Sequence, residues 1–284
     1  MKKRTWKMLA LLVSLVLIFG LLWFANGLLG NPISKHFALQ AAQKRMHEMY
    51  SDTDYVLGEI TYSFKDGGYY ADVSSPSSKD SDFTMAFNWK GQFRWDSYED
   101  RVVHRENTAS RLEKEYQKCV EQVLTSSLFP YPGEIQYGIL KLDRREAIKA
   151  SAATDTLAFE DLELDKVYDV SALGKQYGKL ILYVDSDVVT MEQAAEMMLE
   201  IRRQMDDAGV GFRVLDFTLE QTVSEDEPRS EIFINSGEFP YEDIYEEGLL
   251  ERLQAADRAI KEEYAKQEAI KAEEEKAALG LVSE

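Results

Sequence analysis

Three histidines and one cysteine leave this chain few of the side chains that most often bind metals or act as general bases. His36 and His47 are about three helical turns apart, too far to hold one ion. His47-Glu48 opens like H-E-x-x-H, but the second histidine that a zinc protease needs is missing. Ser74, Ser75, Ser77 and Ser78 offer hydroxyls, yet no G-x-S-x-G elbow or S-x-x-K spacing surrounds them. Asp185-Ser186-Asp187 places two carboxylates beside a strand end, without the glycine and distant glutamate of an EF-hand loop. Cys119 is expected to be a small buried apolar residue on a helix. No Walker A or G-x-G-x-x-G pattern is present. No catalytic residue, metal ligand or cofactor is therefore expected.

The pattern that remains is aromatic. Tyr55, Tyr62, Phe64, Tyr69, Tyr70, Phe83, Phe87, Trp89, Phe93 and Trp95 crowd one stretch of alternating residues. Such residues serve a sheet core. They also serve a binding surface for a glycan or peptide, because rigid rings give contact area at low entropic cost. Tyr69, Tyr70, Trp89 and Trp95 are the candidates for that surface.

The elements that position them follow a marked N-terminus. Lys2, Lys3, Arg4 and Lys7 precede 22 nearly apolar residues, Met8 to Leu29. A helix of that length spans roughly 33 Å, enough to cross a hydrocarbon core of about 30 Å. Trp6 and Trp23 lie near its ends, where aromatics favour headgroups. A cleaved signal peptide is the rival. It needs a shorter apolar run and a small-residue cleavage site, and Ala25-Asn26-Gly27 fits poorly. The expected partner is thus the lipid bilayer, through Met8 to Leu29, in an uncleaved signal anchor. The basic cluster keeps the N-terminus cytoplasmic and sends the bulk out of the cytoplasm.

Charge sharpens this. The chain has 284 residues, with 33 bases, 51 acids and a net charge of −18. Four of the 33 bases precede the span, so 29 bases face 51 acids beyond it, a net of −22. Such a surface repels a phosphate backbone and excludes nucleic acid as the expected partner.

The expected fold class is α+β. Residues 1–30 are the basic tail and anchor. Residues 31–128 form a first domain: a helix capped by Ser34 with Phe37, Ala38, Ala41, Ala42, Met46 and Met49 inward, then four strands. Lys65-Asp66-Gly67-Gly68 and Lys90-Gly91 turn the chain. Phe83, Met85, Phe87 and Trp89 alternate toward one buried face. A helix from about Tyr98 to Leu124 closes that domain. Phe129-Pro130-Tyr131-Pro132-Gly133 ends it, because two prolines and a glycine break a helix. Residues 129–240 form a second α+β domain with strands near 135–142, 180–184, 212–219 and 231–235. A helix capped by Thr190 lies between the middle two. Residues 241–284 are one long acidic helix and tail, docked through its first half.

The runs Asn31-Pro32-Ile33-Ser34, Phe64-Lys65-Asp66-Gly67-Gly68-Tyr69-Tyr70, Ser74-Ser75-Pro76-Ser77-Ser78 and Phe239 to Leu253 resemble the YfjL-like proteins. The resemblance implies a single-span, membrane-anchored envelope protein of Gram-positive, Firmicutes-type bacteria. It implies no activity, cofactor or catalytic residue. The helix-then-meander order is also similar to cystatin-like and PepSY-type modules. The expected function is a non-enzymatic binding or accessory module of the cell envelope, with another envelope or membrane protein as a further partner. The alternatives are an envelope hydrolase with a site assembled from both domains, or a sensory or structural subunit of a membrane complex.

Overall fold

The computed structural model describes residues 2–131, 133, 135–222 and 232–278. The expected start of the last strand at Glu231, Pro132 of the boundary and the final residues 279–284 lie outside these. The chain divides into two compact units, 1–109 with 159–166, and 110–158 with 167–284.

Unit 1 begins with α1 (Lys2–Leu29), whose apolar window is unburied. It is the one helix among the described residues long and apolar enough to cross a membrane. Helix α2 (Pro32–Met49) follows after two non-helical residues. Its cap is Asn31, not Ser34: the Asn31 side chain accepts from the Ile33 amide, and Pro32 fills the first helical position. A missing N–H costs nothing there, because that donor has no helical partner.

Strands β1 (Val56–Ser63), β2 (Gly68–Ser74), β3 (Phe83–Phe87) and β4 (Phe93–Asp96) form an antiparallel meander in chain order. Ala38 and Ala42 of α2 lie on its inner face against Ile60, Tyr69, Ala71, Val73, Phe83, Met85 and Phe87. Two alanines four apart let the helix approach the sheet closely. The buried stripe is therefore narrower than expected, with Ser34, Ala38 and Ala42 inward and Phe37 and Met49 exposed.

The joint between α1 and α2 is held by two tyrosines of this sheet. Tyr62 donates its hydroxyl to the Gly27 carbonyl at 2.9 Å. The Tyr69 hydroxyl accepts from the Asn31 amide at 2.7 Å and donates to the Asn31 carbonyl at 3.2 Å. Gly30 has a positive φ of 75°, and a Cβ there would lie 2.6 Å from the Tyr62 ring. Only glycine satisfies both the dihedral and the space.

Residues 159–166 return to unit 1 and close its polar loop. Asp165 accepts from the Ser78 hydroxyl and the Lys79 and Asp80 amides, and donates its own amide to buried Asp80. Ser75 and Ser77 bind Asp54. The serine loop is thus held by hydrogen bonds to carboxylates.

Past Val103 the expected long helix is two pieces, a π turn (Glu99–Val103) and α3 (Glu106–Leu124). From Ser110 onward α3 belongs to unit 2. There follow β5 (Gln136–Leu140), β6 (Leu142–Asp143), α4 (Arg145–Ser151), β7 (Leu157–Ala158), α5 (Val170–Tyr177), β8 (Gly178–Ser186), α6 (Met191–Asp207), β9 (Val214–Gln221), β10 (Phe233–Pro240) and α7 (Leu249–Ala278). The main sheet has the order β10-β9-β8-β5. The β8 and β9 strands are parallel and joined by α6; the outer pairs are antiparallel. Thr190 caps α6 through the Gln193 amide, as its sequence predicts. Helix α7 starts at Leu249 rather than Tyr241, because residues 241–243 form a 3-10 turn. Leu249, Leu253 and Asp257 are buried, and beyond Ile260 its described side chains are exposed.

Tyr116 organises this unit. Its hydroxyl donates to the Gly211 carbonyl at 3.0 Å. A Cβ at Gly138, Gly174 or Gly178 would approach its ring or hydroxyl to 3.1, 2.6 and 2.5 Å. Glycines from β5, α5 and β8 therefore make the socket that receives the α3 tyrosine. Replacing Gly174 by alanine should overpack that socket and cost about 2 kcal/mol or more. Tyr116→Phe should cost about 1–2 kcal/mol, since it leaves a buried carbonyl without its donor. Both losses are measurable as reduced hydrogen-exchange protection of β8 and β9 in the full chain.

Candidate functional site

The four aromatic candidates separate once the sheet register is known. Tyr69 leaves the surface: it is 2% exposed, faces α2, and spends its hydroxyl on Asn31. Trp89 does not continue the buried alternation. It lies in the β3–β4 turn and is 61% exposed. Asn88 builds that turn by accepting from the Lys90 and Gln92 amides.

Tyr70 and Trp95 share the sheet face opposite α2. Thr61, Tyr70, Ala86 and Trp95 stand side by side across the four strands. The Tyr70 and Trp95 ring centroids are 6.0 Å apart, and Ala86 beneath them is buried. Trp95 remains 48% exposed. A bulge makes this possible. Phe87 pairs with Phe93 and Ala86 with Trp95, so Arg94 is the extra residue in β4. Strict alternation would put Phe93 and Trp95 on one face; the bulge sends them to opposite faces. Phe93 meets Phe87 at 6.0 Å and lies under the Arg45 guanidinium at 3.6 Å.

Two residues without aromatic rings complete the outer shelf. Asp66, in the β1–β2 turn, accepts the Tyr70 hydroxyl, and Arg94 lies 3.9 Å from it. Hydrogen bonds from Tyr70 and Ser63 hold the Asp66 carboxyl below its ordinary pKa. The bond to Asp66 raises that of Tyr70, so this phenol is a poor base. The arrangement suits binding: a half-buried Tyr70 and an exposed Trp95 with rings tilted 58° to each other, beside one carboxylate and one guanidinium. The turn spacing Asp66-Gly67-Gly68 marks Asp66 in the sequence, whereas nothing there marks the bulge at Arg94.

A second titratable cluster occupies the face of the unit 2 sheet. Lys141 lies 2.7 Å from Asp155 and 2.5 Å from Glu238; Lys179 lies 2.6 Å from Asp216 and 3.2 Å from Glu238. Burial pulls the Lys141 and Lys179 values down, but bonds to these carboxylates outweigh it and both end up raised. A lysine nucleophile needs the opposite shift. Lys141 lowers Asp155, while for Glu238 burial is outweighed by the two ammoniums, which lower it. Among the described residues no group of three or more His, Cys, Asp or Glu is placed to hold a metal. His104 sits 3.7 Å from both Glu99 and Asp100.

The cluster has a pH signature. Lowered carboxylate values contribute stability above the ordinary carboxylate range, lost as pH falls through the lower folded values. Raised lysine values contribute below the ordinary lysine value, lost as pH rises through the higher folded ones. The unfolding midpoint of unit 2 should be level between roughly pH 5 and 10 and fall on both sides. Lys179→Met should cost about 2 kcal/mol by leaving Asp216 and Glu238 together without it. Glu238→Gln should cost less than about 1 kcal/mol, because Glu238 is nearly half exposed and screened. Hydrogen exchange across a pH series measures each.

Comparison with known proteins adds the family. No curated protein and no solved structure matches the chain. The YfjL-like N-terminal domain matches residues 4–100, which hold α1, α2 and the aromatic meander. The YfjL-like C-terminal domain matches residues 140–254, which hold most of the unit 2 sheet and α6. These two matches span well over half of the chain, and it belongs to the YfjL-like family.

Proposed function

We propose that the chain is a single-pass, membrane-anchored protein, with its N-terminus in the cytoplasm and its folded units outside, in the cell envelope. Its role there is that of a non-enzymatic binding or accessory module. The observation that carries this reading is the exposed Trp95 beside the half-buried Tyr70, flanked by Asp66 and Arg94, on a domain joined to an apolar helix. Exposed rings are costly to leave in water, and rigid rings give a partner contact area with little ordering cost. The basic residues ahead of α1 support the orientation. One helix followed by an antiparallel meander supports a cystatin- or PepSY-like reading of unit 1, as an analogy of fold that assigns no ligand.

The occupant of the Tyr70–Trp95 shelf is another envelope or membrane protein. Affinity capture from detergent-solubilised membranes tests this. The intact chain should retain a stoichiometric partner, and the Tyr70→Ala, Trp95→Ala double variant should lose it at least tenfold. Equal capture by both removes the shelf from the reading; turnover of an envelope substrate without a partner favours the hydrolase. The topology is checked separately. The chain should resist carbonate extraction, and protease added to intact spheroplasts should digest it. Release by carbonate refutes the anchor, and full protection refutes the orientation.

A further inference from the structure

The two ends of unit 1 differ in what they do with aromatic side chains. At one end Tyr50, Tyr55, Phe83 and Tyr98 pack on one another, with centroids 5.1–6.3 Å apart. None of the four is exposed. Every exposed aromatic between residues 30 and 109 lies toward the other end: Phe37, Phe64, Trp89, Phe93 and Trp95.

The register shows which end that is. Tyr62 pairs with Tyr69 and Tyr69 with Phe87, so the β1–β2 turn and the β3–β4 turn leave the sheet together. The same Tyr62 and Tyr69 hold Gly27 and Asn31 at the exit of α1. Gly91 of the second turn lies against the Phe37 backbone, one turn into α2, where a Cβ would come within 2.6 Å. Helix α1 is unburied along its apolar window, so it leaves this end rather than folding back over the unit.

Each turn tip pairs a ring with a base. Phe64 is 62% exposed beside exposed Lys65. The Lys90 ammonium lies 4.9 Å from the Trp89 ring. At the junction of α1 and α2, Leu29 and Ile33 are exposed as well. An aromatic ring with a neighbouring lysine is the chemistry of a bilayer interface: the ring sits among headgroups and the ammonium reaches anionic phosphate.

We propose that this end of unit 1 is seated in the headgroup layer of the bilayer that α1 crosses. Phe64 and Trp89 insert, and Lys65 and Lys90 contact anionic lipid. This rests on the anchor proposed above and adds what that anchor does to the domain. The contact is continuous with the span: Gly27 and Asn31 bond to Tyr62 and Tyr69, the residues on either side of the β1–β2 turn. It leaves the Tyr70–Trp95 shelf on the outer sheet face for the protein partner.

The test uses the full chain in vesicles of phosphatidylcholine and phosphatidylglycerol, with and without brominated acyl chains. Two variants each keep one tryptophan, with phenylalanine at the other three. One keeps Trp89 and the other keeps Trp23, inside the span. Both tryptophans should be quenched, Trp89 by at least a third, with blue-shifted emission. Quenching of Trp23 without Trp89 overturns the seating and leaves the anchor intact. In that outcome, cross-linking between copies at position 89 would give the patch to a second copy of the chain. Absence of quenching at Trp23 refutes the anchor, and the seating falls with it.

Discussion

The joint at Gly27 to Asn31 is the constraint on which the rest of unit 1 depends. A terminal apolar helix can be connected to its domain by a loose tether or by a fixed joint. Here two tyrosine hydroxyls take up backbone groups that a helix end and a break would otherwise leave to water. Each such bond is worth about 1 kcal/mol net, but their geometric effect is larger than their energy. They come from neighbouring strands, Tyr62 on β1 and Tyr69 on β2, so together they fix the direction in which α1 departs. Gly30 permits it, with a left-handed dihedral and no Cβ to strike the Tyr62 ring. Because the joint is built on the sheet, the sheet's turns inherit a fixed relation to α1.

That dependence explains which features were legible in the sequence. Local signals were reliable where one physical cause acted alone. The apolar run marked α1, Asp66-Gly67-Gly68 marked its turn, and Thr190 with Gln193 marked the start of α6. The misreadings fall where tertiary context decides. Phe37 has the right spacing for the α2 core face, but Ala38 and Ala42 take that face because small side chains allow closer packing on the sheet. Tyr69 and Tyr70 are indistinguishable as a pair of letters; pleating sends one to Asn31 and the other to the opposite sheet face beside Trp95. Trp89 extends the period-two pattern by one step, two residues beyond the end of β3. The bulge at Arg94 separates Phe93 from Trp95, and no composition rule announces an extra residue.

Chain order and unit order also diverge, for reasons of packing. Helix α3 follows the meander directly and reads as its closing element. From Ser110 onward it belongs with the glycines that accept Tyr116, drawn from positions 138, 174, 178 and 211. Single glycines scattered over more than seventy residues give no local signal, since each alone resembles a turn residue. The return of residues 159–166 to unit 1 is equally non-local. Its Asp165 takes a positive φ of 59°, a strained choice outside glycine, offset by donors from three successive residues of the serine loop.

The charge of the protein acquires a spatial meaning from the same joint. Beyond the span acids outnumber bases by 22, a surface repelled by anionic lipid. Were α1 to anchor the chain in a membrane, the rest would approach it only locally, through a patch of opposite character. The end of unit 1 beside α1 has that character, with Lys65 and Lys90 at the turn tips and the Asp66 charge between them engaged by Tyr70 and Arg94. With rings and bases on these two turns and their one acid, Asp66, already paired, the proposed seating would give the domain a favourable way to stand on a bilayer. The half-buried Tyr70 and exposed Trp95 would then lie on the side of the standing sheet, open to the proposed partner in the same membrane. On that proposal, confinement to a surface raises effective concentration, so a shelf of two rings and two charges would suffice without the area that a soluble complex needs.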